Sequence, residues 1–125
     1  MTRLEIFKQV KEHLLKQNAK AVDDGGECLY LSDTGLKCAV GCLIKPECYD
    51  EKMEGCSASQ LLHPPKYNRK GYKELKDSLE KTLNTELNQN IVSMLGELQR
   101  IHDELEVSEW ETELNYLEQE IINDD

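Results

Sequence analysis

The sequence predicts a mainly α fold (α+β in detail), a helical domain with a small β-hairpin near residues 27–40. Three observations carry that reading. Apolar residues recur at steps of three and four over most of the chain. Capping-box patterns stand ahead of three such runs. Two short apolar runs flanking a turn that ends in glycine occur once, at 27–40. A chain of 125 residues is the size of one domain, spanning 1–125, and buries a core without metal or disulfide staples.

Thr2-Arg-Leu-Glu5 reads as a capping box opening a helix whose face is Phe7, Val10 and Leu14. The helix runs to about Lys20, with Lys16 and Lys20 suiting its C-terminal dipole, and Asp23-Asp-Gly-Gly26 breaks it. Glu27–Leu31, the turn Ser32-Asp-Thr-Gly35 and Leu36–Val40 form the hairpin, although the small residues Ala39, Gly41 and Cys42 also suit a buried helix. Gly41 is expected to let a neighbouring element pack closely. Pro46 stops the element, residues 45–56 form a loop, and His63-Pro-Pro65 marks another. From Tyr72, the stripe Leu75, Leu79, Leu83, Leu87, Ile91, Met94, Leu98, Ile101 and Leu105 is a long amphipathic helical stretch. Asn84-Thr85 and Asn88–Asn90 are where it would split in two. Capping boxes at Ser57–Gln60 and Ser108–Glu111 open two further helices, the second with the stripe Val107, Trp110, Leu114, Leu117 and Ile121. The stripes pair with each other or with a second copy, so a homodimer is one expectation.

The net charge of −10 is unevenly spread. Residues 1–20 and 57–82 each carry +3, residues 21–56 carry −5, and residues 83–125 carry −11. Ten carboxylates and no basic side chain follow Arg100. Such a surface repels nucleic acid and membrane phosphates and favours a basic protein partner. No apolar run is long enough for a membrane span, and the first residues lack the apolar core of a signal peptide. Both point to a cytoplasmic setting, where thiols stay reduced.

Four of the five cysteines fall within residues 35–56. Cys38, Cys42, Cys48 and Cys56 are the candidate zinc ligands, with His63 nearby. Zinc sites draw close pairs of ligands from two loops, and here one such pair exists, so inert thiols are the stronger reading. With no Cys-x-x-Cys and no spacing that pairs a histidine with a thiol, cysteine catalysis is not indicated. His102-Asp103 reads as a helix-surface pair rather than part of a metal phosphohydrolase. The Asp-Thr-Gly of residues 33–35 has a turn's conformational reason, and the glycines match neither nucleotide-binding fingerprint. The sequence implies no catalytic residues and no cofactor.

Cys28-Leu-Tyr30, GLKCAVGCLI at 35–44, Tyr49, Met53-Glu-Gly55 and LGELQRIHD at 95–103 together resemble a family of small uncharacterised bacteriophage and prophage proteins with a G-x-K-C-A-x-G-C-L-I motif. The resemblance implies a host-cell cytoplasmic setting and an accessory role toward a host. The expectation is therefore a non-enzymatic protein that inhibits a host or defence protein with a basic surface. Its partner-binding residues would be Trp110, Glu109, Glu113, Glu120, Tyr49 and Glu54. One alternative is a protein that sequesters a nucleotide signal through Lys37, Lys45, Lys66 and Arg69. Another is a zinc-stabilised interaction module.

Overall fold

A computed structural model gives the structure of residues 1–124. The chain forms four helices, α1 (Arg3–Gln17), α2 (Arg69–Leu83), α3 (Gln89–Glu104) and α4 (Val107–Asp124), with a long segment of turns between α1 and α2. The chain is mainly helical, as the periodicity requires.

The Thr2 capping box forms in full. The Thr2 hydroxyl accepts from the Glu5 amide at 3.1 Å, and the Glu5 carboxylate accepts from the Thr2 amide at 2.9 Å. Helix α1 buries Ile6, Phe7, Val10 and Leu14. It ends three residues short of Lys20, because Asn18 takes the left-handed conformation (φ 51°) and donates its N–H to the Leu14 carbonyl. The break expected within the long stripe also forms. Asn84, again left-handed, closes α2, and the Asn88 side chain caps α3 by accepting from the Ile91 amide at 2.9 Å. Between them the Glu80 carboxylate accepts from the Leu87 amide at 2.8 Å.

Two expected capping boxes do not form. Helix α4 begins before Ser108, and the Glu106 amide donates to the Glu109 carboxylate instead. Ser57 starts only a three-residue 3-10 turn, Ala58–Gln60. Its hydroxyl pairs with that of Ser59, and its amide donates to the Tyr72 hydroxyl.

The small hairpin is not seen either. Among the described residues only two isolated antiparallel bridges occur there, Val22 to Cys28 and Leu31 to Lys37. The Ser32–Gly35 turn closes, with the Ser32 amide on the Leu36 carbonyl at 2.8 Å. No ladder grows from it: the Tyr30 amide, which would make the next cross-strand bond, donates instead to the Glu54 carboxylate, which also holds the outward Leu31 amide. Beyond Lys37 the chain curls into a turn and the 3-10 helix Gly41–Leu43, so the buried-helix alternative fails as well. A Cβ on Gly41 would lie 2.0 Å from the Tyr30 carbonyl oxygen. Gly41 thus permits the close packing expected of it.

One cluster of buried apolar side chains draws on all four helices and the segment of turns between α1 and α2. Helix α1 packs on α3 and α4, α3 on the Ala58–Gln60 turn, and α2 on the 3-10 turn Glu51–Met53. Trp110, Leu114 and Ile121 of α4 are fully buried, and Val107 and Leu117 of the same stripe are partly buried. No helix among the described residues is long and apolar enough to cross a membrane.

Candidate functional site

The last turn of α3 builds a polar cluster at the edge of the core. His102 is fully buried rather than on the helix surface. Its Nε2 accepts from the Ala21 amide at 3.1 Å, so Nδ1 carries the proton and donates to the Asp103 carboxylate at 2.7 Å. Gln99 donates to the same carboxylate oxygen at 2.7 Å. The Trp110 ring stacks on the imidazole, with centroids 5.5 Å apart. Burial pushes the Asp103 carboxyl up, but hydrogen bonds from His102, Cys28 and Gln99 outweigh it and hold the group below its usual range. Burial first, then the Asp103 carboxylate, pushes the Cys28 thiol up to about 12.

Cys28, His102 and Asp103 place ligand-type atoms within 4.8 Å of one another, the one such group of three among the described residues. The donor set does not suit a metal. In metal sites the second imidazole nitrogen donates its proton outward. Here Nε2 already accepts from a backbone N–H, so a metal at Nδ1 would require an imidazolate. Nor is the cluster wired for nucleophilic catalysis, since the carboxylate rather than the imidazole adjoins the thiol, and the thiol stays protonated. What it does is tie the 20–28 loop to the end of α3, with the Lys20 ammonium adding a 3.4 Å bond to the Asp103 carbonyl. The expected zinc set Cys38, Cys42, Cys48 and Cys56 is not brought together as a ligand group.

Beside the cluster lies a cleft of about 670 Å³, walled by residues 26–30, residues 54–59 and α3. Its charged lining is Glu27, Glu54, Asp103 and Glu104 against Arg100 alone. A second groove, of about 240 Å³, runs between α3 and α4, with Glu97, Glu113, Glu120 and Tyr116 around Ile101 and Leu117. Arg100 lines both and pairs with Glu97 at 3.3 Å. No family model, curated protein or solved structure matches this chain.

The expected partner-binding residues separate. Trp110 is fully buried against His102 and offers no surface. The Glu54 carboxylate accepts from the Tyr30 and Leu31 amides and from the Tyr49 hydroxyl at 2.6 Å, so both half-buried side chains are engaged within the chain. Glu113 and Glu120 meet in the α3–α4 groove, and Glu109 lies exposed at the start of α4. The four expected cationic ligands line no cavity in common among those described. Lys37 lines a small apolar pocket with Tyr49, while Lys45, Lys66 and Arg69 line neither that pocket nor the clefts above.

Sequence reasoning missed the cleft and its cluster. One signal was present. His102 stands four residues after Leu98 and seven after Leu95 on the apolar stripe of α3, which marks it as a core residue. The cleft also gathers Cys28–Tyr30, Glu54–Gly55 and Gly96–Asp103, stretches that had been singled out without knowing that they meet.

Proposed function

We propose that this protein is a non-enzymatic accessory protein of bacteriophage type that binds and inhibits a basic host or defence protein in the host cytoplasm. Its docking surface is the α3–α4 groove. One observation supports this reading above the others: carboxylates from two helices, Glu97, Glu113 and Glu120, converge on a groove that also presents the half-buried Leu117 and a 70% exposed Tyr116. Among the described residues Glu113 and Glu120 form no ion pair. A lysine or arginine side chain suits such a groove. Its aliphatic stem covers Leu117, its charge meets carboxylates, and Tyr116 offers a ring face. The surrounding negative field steers the encounter and makes it salt-dependent.

The test is calorimetric titration with a pentalysine peptide at low and high salt. Binding by the wild-type chain should weaken with salt, and Glu113→Lys/Glu120→Lys should lower affinity by at least about tenfold through lost attraction and added repulsion. Equal affinity in the double variant at low salt removes this groove from the account.

A further inference from the structure

Three glycines differ in what a side chain would meet. At Gly41 a Cβ would strike the Tyr30 carbonyl oxygen at 2.0 Å, and at Gly71 the Lys52 carbonyl oxygen at 2.2 Å. Packing dictates both. Gly96 is different. It lies in the interior of α3, where glycine weakens a helix relative to alanine. Its φ is not in the left-handed region, and the nearest atom to a Cβ there is the Ser59 Cβ at 3.9 Å, an ordinary contact. Neither the backbone nor the neighbouring side chains call for glycine. What a larger side chain would take is the space of the 670 Å³ cleft, whose wall Gly96 forms, and of the adjoining hollow toward Ser93.

We propose that this cleft is a binding site for an organic cation bearing primary ammonium groups, and that Gly96 keeps it open. The volume falls within the range of about 300–1,000 Å³ usual for small-molecule sites. The charge selects the ligand class. Glu27 and Glu104 are exposed at the cleft and form no ion pair among the described residues, and Asp103 adds a third ionised carboxylate from below. Arg100 is the single basic side chain of the lining and is paired with Glu97. Phosphates and carboxylates are repelled from such a site, while ammonium groups are attracted and find hydrogen-bond acceptors. The ammonium comes either from a free polyamine or from a lysine side chain of a docked protein. The site is distinct from the α3–α4 groove and stands without it.

The experiment titrates spermidine, and separately pentalysine, into the wild-type chain, Gly96→Ala, Gly96→Leu and Glu113→Lys/Glu120→Lys. Folding is monitored by circular dichroism and thermal melting. A free polyamine as ligand gives spermidine binding that Gly96→Leu weakens at least about tenfold and the α4 double variant leaves within about threefold. A lysine side chain as ligand gives no spermidine binding but the same loss of pentalysine affinity in Gly96→Leu. Gly96→Ala should melt at or above the wild-type temperature. A lower melting temperature for Gly96→Ala shows that packing demands the glycine and overturns the proposal, even if Gly96→Leu fails to fold. Unchanged binding of both probes by a folded Gly96→Leu overturns it too, as does absence of binding of both by the wild type. Loss confined to the α4 double variant supports the groove and rejects the cleft.

Discussion

Asp103 holds its carboxylate among donors from three side chains, and the consequence is a pH dependence of definite sign. Its folded-state pKa is depressed below the ordinary 3.8. The unfolded chain therefore binds a proton more readily, and the group contributes stability that is present above about pH 4 and lost as pH falls through the folded value. Asp103→Asn should flatten that acid limb of a urea-midpoint curve, and an unchanged limb would mean that other carboxylates carry it. At the same cluster the Cys28 thiol is pushed up to about 12, and that of Cys42, by burial, to about 12 as well. Both should resist iodoacetamide at pH 7.5 in the folded chain and react at once in urea, as mapped by mass spectrometry. Rapid labelling of native Cys28 would contradict the arrangement described. Gly41 makes a steric prediction. Its neighbour at 2.0 Å is backbone, which cannot rotate away. Gly41→Ala should cost about 3 kcal/mol or more in urea unfolding.

Between residues and the whole lie the helices and the turns that end them, and here the sequence was uneven as a guide. The α2–α3 break was legible because Asn84 and Asn88 act locally. One takes a left-handed cap and the other accepts a single backbone N–H. Asn88→Ala should therefore cost about 1 kcal/mol without altering the fold. The Thr2 box was legible for the same reason. The hairpin was misread because its outcome depends on Glu54, more than twenty residues away, whose carboxylate takes the Tyr30 amide that the next rung of a ladder would have used. Periodicity has no access to such a long-range competitor for backbone hydrogen bonds. Trp110 was misassigned for a related reason. An amphipathic stripe identifies a buried face but not what covers it, and the Trp110 ring, stacked on His102, has no exposure. Glu113 and Glu120 were singled out from charge density alone and line one groove, while Gly96 and Gln99 take their meaning from a cleft that exists only once distant segments meet.

Over the whole molecule, the separation of charge along the chain is partly an internal match. Helix α1, in the positive N-terminal segment, lies against α4, in the most negative one. The Lys11 ammonium bridges Asn115 at 2.7 Å and Glu118 at 2.9 Å, and Arg3 reaches Asp124 at 4.0 Å. The acidic helix thus has two faces of different standing. Lys11 and Glu118 are each only about a fifth exposed, at 21% and 20%. They are shielded enough for the pair to count, yet wet enough to keep its worth near 1 kcal/mol. Glu109 and Glu113, four residues apart, instead repel each other along the helix. A stability series separates the two. Lys11→Met and Glu118→Gln should each lower the urea midpoint, and the double variant should lose less than the sum because one interaction is removed twice. Glu113→Gln should raise stability by a few tenths of a kcal/mol at low salt and by less at 0.5 M. A carboxylate that weakens the folded chain while strengthening its hold on a basic partner is the pattern of a surface kept for binding. A Glu113→Gln variant that loses stability would place that side chain with Glu118, among the contacts that hold the helices together.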